Sequence, residues 1–213
     1  MNRTYLTYDQ AKDHIKEGDV LLFRGQSLVS KFIQSITNSE YSHAAIASWT
    51  NGDSDPILEV LEFREFLGSR AINLQVYLEN LPDNTIDVFS PSYNLTRKEY
   101  YKDINQVVDV DETFRGKLIT KDFRRHLGED YSYWQILNIL WYHVPVLRFF
   151  INESIFIDEN GEFKYSICSS SIASVFSRNY TDLVKFKANA YTTPSDLSQS
   201  PLLSYLFTIT KSD

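Results

Sequence analysis

The chain is poor in cysteine: among its 213 residues there is one, Cys168. A single thiol forms neither an intramolecular disulfide nor a multi-thiolate zinc site, which excludes a disulfide scaffold and a zinc ribbon. Glycine and proline are sparse, at 7 and 6 residues. No Gly/Ser/Pro linker, internal repeat or low-complexity tract divides the sequence, so one domain over residues 1–213 is expected. Positive charge is scarce as well. With 21 Lys and Arg against 28 Asp and Glu the net charge is -7, and no basic run is available to track a phosphate backbone, so nucleic acid is not an expected partner.

Long apolar runs are missing too. The most apolar stretch, Trp134 to Phe150, is interrupted by Gln135, Asn138, His143, Pro145 and Arg148, whereas a bilayer span needs about 20 nearly uninterrupted apolar residues. It reads as a buried aromatic-rich helix ending near Pro145 and not as a transmembrane segment. The N-terminal MNRTYLTYDQAKDHIKEGD lacks the apolar core of a secretory signal, which makes a cytoplasmic location the expectation. Motifs are also absent. There is no HExxH, GxSxG, Walker A or EF-hand pattern, so metalloprotease, serine-hydrolase and nucleotide-binding readings lack their minimal parts.

What is present is enough to fold. Apolar residues make up 43% and aromatics 15% of the chain, sufficient for a real core. A short N-terminal helix is followed by a Gly18-Asp19 turn that launches Val20 to Phe23 as a strand. Leu28, Phe32, Ile33 and Ile36 then fall at helical spacing over Ser27 to Ile36. HAAIASW (43–49) and ILEVLEF (57–63) read as buried strands of an antiparallel hairpin turning at Asn51-Gly52-Asp53. Thr85 to Phe89 reads as a strand and Asp111 to His126 as a surface helix closed by Leu127-Gly128. A further helix is expected to start near Tyr131. Tyr165 to Ile167 reads as extended, and SSSIASVF (169–176) places Ile172, Val175 and Phe176 on one helical face. Cys168 therefore falls at a helix N-terminus.

That position gives the lone thiol two readings. The unpaired N–H groups and positive end of a helix dipole favour a thiolate, which makes Cys168 competent as a nucleophile. Free cysteine is also a common small core residue, so position alone leaves an inert reading open. His43 opens a strand of small apolar residues, where an imidazole is costly to bury unless both ring nitrogens find partners. Glu59, in the middle of ILEVLEF, is a buried acid that needs a partner of its own. Strand alternation puts Glu59 and Glu62 on opposite faces, so one of them can reach His43. Glu59 is the first choice and Glu62 the alternative acid. His14, His126 and His143 read as structural.

In order along the chain, GDVLLFRG (18–25), SEYSHAAIASW (39–49), ILEVLEF (57–63), GEDYSYWQIL (128–137), YSICSSSIASVF (165–176) and TPSDL (193–197) together resemble one family. It is the circularly permuted branch of the NlpC-type papain-like cysteine hydrolases, the YiiX-like group related to lecithin retinol acyltransferase. The order supports the likeness: in ordinary papain-like enzymes the cysteine comes first, whereas here His43 and Glu59 precede Cys168. The resemblance implies an α+β, papain-like fold with an antiparallel sheet packed on the helix that carries the cysteine. It implies Cys168 as nucleophile, His43 as general base and then acid, and Glu59 as the residue orienting the imidazole. Tyr41 and Ser169 are implied to line the cleft or assist the oxyanion. Ala44-Ala45, Val60 and the serines after Cys168 depart from the family's usual residues while leaving the three residue types intact.

The function so implied is a cysteine peptidase, amidase or acyltransferase acting on a small peptide, amide or lipid ester, without metal or cofactor. The alternative is a non-catalytic binding or structural module that keeps the fold and a pocket.

Overall fold

The computed structural model describes residues 2–25, 30–31, 34–35, 38–51, 55–64, 67–80, 85–91, 94–101, 106–113, 115–130, 168–179, 181–185 and 187–210. The apolar stretch 134–150 with its aromatic-rich helix expected to end near Pro145, the helix start near Tyr131 and the extended Tyr165 to Ile167 lie outside these residues, as does His143. Of the helix expected over 27–36, residues 30–31 and 34–35 are described and helical.

Nine strands are seen among the described residues: β1 (Tyr5–Leu6), β2 (Val20–Arg24), β3 (His43–Asn51), β4 (Pro56–Arg64), β5 (Gly68–Asn73), β6 (Thr85–Pro91), β7 (Asn94–Tyr101), β8 (Gln106–Thr113) and β9 (Leu203–Ile209). Seven form one sheet in the order β1-β9-β6-β2-β3-β4-β5, while β7 and β8 pair as a separate ribbon. All neighbours in the large sheet are antiparallel except β1 and β9. The helices are α1 (Tyr8–Ala11), α2 (Leu74–Glu79), α3 (Gly116–Arg124), α4 (Cys168–Arg178) and α5 (Pro194–Ser198). The fold is α+β, built on a mixed sheet.

The sheet is covered on both faces, which is why β2 reads as an unbroken apolar run and not as an alternation. On one face Val20, Leu22, Ala44, Ile46, Leu61 and Phe63 pack against Ile119 and Phe123 of α3 and Ile172, Val175 and Phe176 of α4. On the other, Leu21, Phe23, Ala45, Ala47, Leu58 and Val60 pack against Tyr77 and Leu78 of α2 and against Ile15. The stripe Ile172, Val175, Phe176 has the i, i+3, i+4 spacing that lays α4 on the first face. A register shift between Val88 and Phe89 skips Leu206 of β9, so that Phe207 packs on the second face with Val88 and Tyr205 against the first with Phe89.

The hairpin of β3 and β4 forms as expected, with Trp49 opposite Leu58 and Ser48 opposite Glu59. The helix expected over Asp111 to His126 is shorter. Asp111 to Thr113 end β8, whose Val-Asp alternation serves a strand, and helix begins at Gly116. Gly128, at φ +88°, supplies the left-handed residue expected beyond the helix end. Gly68 opens β5 at φ +71°, where a Cβ would lie 2.4 Å from the Glu129 carbonyl oxygen. Glycine is therefore required at that turn.

Candidate active site

His43 is the first residue of β3, and its alternation with Ala45 and Ala47 directs it to the second face of the sheet. Its ring lies 5.1 Å from that of Phe23, its partner across β2. The imidazole Nε2 meets Glu62 Oε2 at 2.6 Å. This leaves Nδ1 for the Cys168 thiol, which is hydrogen-bonded to the His43 side chain from the first turn of α4. Helix α4 lies on the opposite face, so sulfur and imidazole meet at the start of the strand.

The sulfur has two further donors. The backbone N–H groups of Ala44 and Ser169 both bond it. Ala44 is available because the backbone of Ala47 pairs toward β2, through the Gly18 N–H and the Asp19 carbonyl. Alternation therefore directs Ala44 toward β4, and the β3–β4 ladder begins only at Ile46 opposite Leu61. Its small side chain lets the helix end come close. The Ser169 N–H belongs to the first turn of α4, where no preceding carbonyl claims it.

These contacts set the charges. Burial alone would raise the Cys168 pKa, but His43 and the two N–H groups outweigh it and lower it from 9.0. Burial alone would lower the His43 pKa, yet the sulfur and Glu62 push it up to about 9. Glu62 has no exposed surface. Burial would raise its carboxyl, but His43, Arg70 and Arg64 bring it down to about 2. Each shift favours the charged form, so thiolate, imidazolium and carboxylate support one another.

Glu62 is the acid at His43, and the expectation that Glu59 occupies this place is corrected. Glu59 lies opposite Ser48, five residues along β3 from His43 and roughly 16 Å away at strand spacing. It points to the α3 face, where it accepts from Arg124, which also donates to Ser48 Oγ. Tyr41 is corrected as well. Its ring is buried in the first-face core and its hydroxyl donates to Asp87 Oδ2 at 2.7 Å, so it is turned away from oxyanion duty. The Ser169 hydroxyl donates to the Thr192 carbonyl at 2.6 Å, which leaves its backbone N–H as the group facing the sulfur.

That serine contact gives the TPSDL segment a part in the site. Thr193 and Asp196 cap α5 reciprocally, with the Thr193 N–H donating to Asp196 Oδ2 at 2.7 Å and the Asp196 N–H to Thr193 Oγ1 at 3.2 Å. The capped turn holds the Thr192 carbonyl against the start of α4. Sequence reasoning missed Arg70, Arg64 and Tyr77 around Glu62. The available signal was Glu62 itself, since a strand acid on a buried face needs cations, and Arg64 stands two residues on with the same parity.

No protein-family model matches the sequence, and neither does any curated protein. The fold is similar to that of the metalloprotein yiiX (DUF1105) from Escherichia coli O157:H7, known from a crystal structure, with a TM-score of 0.56 and 14% sequence identity. The match covers 90% of this chain and 96% of that one. At this identity the likeness is one of fold. Among the described residues no helix is long and apolar enough to cross a membrane.

Proposed function

We propose that the protein is a cysteine-dependent acyl-transfer enzyme of the permuted papain-like, NlpC-related kind, a hydrolase or acyltransferase that cleaves an amide or ester bond. The observation that carries this reading is the convergence of Cys168, His43 and Glu62: a thiol at an imidazole whose other nitrogen is held at 2.6 Å by a buried carboxylate. In this reading the Cys168 thiolate attacks the substrate carbonyl carbon and the C=O electron pair moves onto oxygen. N–H groups at the start of α4 and at Ala44 face the charge as it leaves sulfur for oxygen. The His43 imidazolium then protonates the departing amine or alkoxide as the C–N or C–O bond breaks, leaving a thioester. Water or an acceptor hydroxyl or amine, deprotonated by His43, attacks the thioester and releases the acyl group and the thiolate. Glu62 holds the ring in place and stabilises its charged form.

The structural neighbour is described as a metalloprotein. Here, among the described residues, no group of three or more His, Cys, Asp and Glu side chains is arranged to hold a metal ion. Glu62 is engaged by His43, Arg70 and Tyr77. These donors do not fit a metal, and no step is routed through one.

The test uses the lone thiol. Iodoacetamide labelling of the folded protein, followed by intact mass across pH 5 to 9, is expected to be fast near pH 6 and to slow at least about tenfold there in His43→Ala. Slow labelling indifferent to His43 overturns the enzyme reading in favour of a non-catalytic module. With fast labelling in hand, screening small peptides against lipid esters and amides for acyl-Cys168 selects the substrate class.

A further inference from the structure

Resting on that reading, we propose that Arg70 is a positioning residue that acts through Glu62 on His43, with Tyr77 as its second support. Arg70 sits directly across the β4–β5 ladder from Glu62. Its Nε and Nη2 both reach Glu62 Oε1, at 2.7 and 2.6 Å. One carboxylate oxygen is thereby saturated and the group cannot rotate without breaking both contacts. The other, Oε2, is left to His43 at 2.6 Å and to the Tyr77 hydroxyl, which donates at 3.1 Å.

Tyr77 is itself fixed. It stands in α2, whose first turn is capped by Asn73 Oδ1 accepting from the Gln75 and Val76 N–H groups. Its ring lies 5.3 Å from that of Phe23. The Arg64 and Arg70 guanidinium groups lie over it at 5.7 and 5.9 Å. Arg64 donates to the Tyr77 hydroxyl and stands 3.9 Å from Glu62 Oε2. Among the described residues, the charged and titratable groups facing Glu62 are therefore His43 from β3, Arg64 from its own strand, Arg70 from β5 and Tyr77 from α2, with Cys168 of α4 one step beyond His43.

This arrangement gives Arg70 a task that a surface ion pair lacks. A carboxylate buried as completely as Glu62 favours its neutral form unless cations hold the charge. Without Arg70, two supports lie beyond His43: a more distant arginine and a neutral phenol. Glu62 then takes up a proton at a pH where the intact site keeps it ionised. A protonated Glu62 no longer favours the imidazolium, and the thiolate on the far side of the ring loses its counter-ion. The loss is confined to acidic pH, because Glu62 ionises again as pH rises.

The experiment is the pH profile of iodoacetamide labelling for wild type, His43→Ala, Arg70→Met, Arg70→Lys and Tyr77→Phe. Arg70→Met is expected to label about tenfold more slowly than wild type at pH 5.5 and within about twofold at pH 8. Arg70→Lys, which keeps a charge but not the double contact, recovers part of the loss at pH 5.5. Tyr77→Phe loses about two- to threefold there. If Arg70→Met fails to fold, the lysine and phenylalanine variants carry the test. A wild-type profile in these variants, or a loss equal at all pH values, overturns the proposal while fast, His43-dependent labelling of wild type upholds the enzyme reading. Slow, His43-independent labelling of wild type overturns both.

Discussion

Glu59 and Glu62 stand three residues apart in one strand and face opposite sides of the sheet, with different partners. Glu59 and Arg124 keep 21% and 29% of their side chains exposed, so solvent screens their pair and it contributes at most about 1 kcal/mol. Glu62 is sealed among His43, Arg70 and Tyr77. Glu62→Gln, which keeps shape and removes charge, is expected to slow Cys168 labelling at pH 6 by about tenfold or more. Glu59→Gln is expected to leave it within about twofold and to lower stability to urea by no more than about 1 kcal/mol. Equal effects of the two substitutions on labelling contradict the assignment. Cys168 and His43 were legible because a thiol at a helix start and an imidazole at a strand start are uncommon placements with few physical uses. The choice between the acids was not legible from the turn at Asn51-Gly52-Asp53. A hairpin turning symmetrically at 51–53 sets His43 across from Leu61, on the face of Glu59; the observed pairing of Asn51 with Pro56 shifts the register by three residues, which carries His43 to Arg64 and one diagonal from Glu62.

Strands that bury both faces announced themselves as apolar runs, which is why β2, β3, β4 and β6 were readable and β5 was not. Its sequence Gly-Ser-Arg-Ala-Ile-Asn carries little apolar signal, and it becomes a strand through pairing with β4. Strand β9 and the ribbon of β7 and β8 likewise owe their place to partners distant from the residues that announced the core. Arg70 depends on how β5 begins, so the turn at Gly68 bears on the site. In Gly68→Ala a left-handed φ and a 2.4 Å approach to the Glu129 carbonyl both oppose the added methyl. A loss of about 2 kcal/mol or more is expected, seen as a fall of several degrees in melting temperature. Labelling at pH 5.5 should fall with it as Arg70 shifts, and an unchanged melting temperature contradicts the strain.

For the molecule as a whole, the site's protons write a signature into the pH dependence of stability. His43, raised from 6.5, adds stability that is full below pH 6.5 and is lost as pH climbs through about 9. Cys168, lowered from 9.0, adds stability present above pH 9.0 and lost as pH falls through its folded value. The two slopes cancel wherever the folded pair holds one proton, as the unfolded pair does between pH 6.5 and 9.0. Glu62, lowered from 4.5 to about 2, adds a further loss below pH 4.5. Glu62→Gln removes that loss, so between pH 4.5 and 2 its stability should fall less than that of wild type. The gap between their denaturation midpoints is expected to narrow as pH falls across this range, and a constant gap contradicts a lowered Glu62. The α+β class and the sheet-on-helix packing were legible from the alternation of apolar strands with the helical stripe at 172–176. The order β1-β9-β6-β2-β3-β4-β5 was not, because it brings together strands from both ends of the chain.

Sulfur and imidazole come from opposite faces of the sheet and from distant parts of the sequence. During synthesis His43 and Glu62 leave the ribosome long before Cys168, and a chain released before residue 168 carries no thiol at all. In a chain that has not docked α4, the thiol has ordinary proton affinity and is mostly protonated at neutral pH. Oxidants and electrophiles should therefore modify the native molecule ahead of its misfolded copies, opposite to the usual pattern for a buried cysteine.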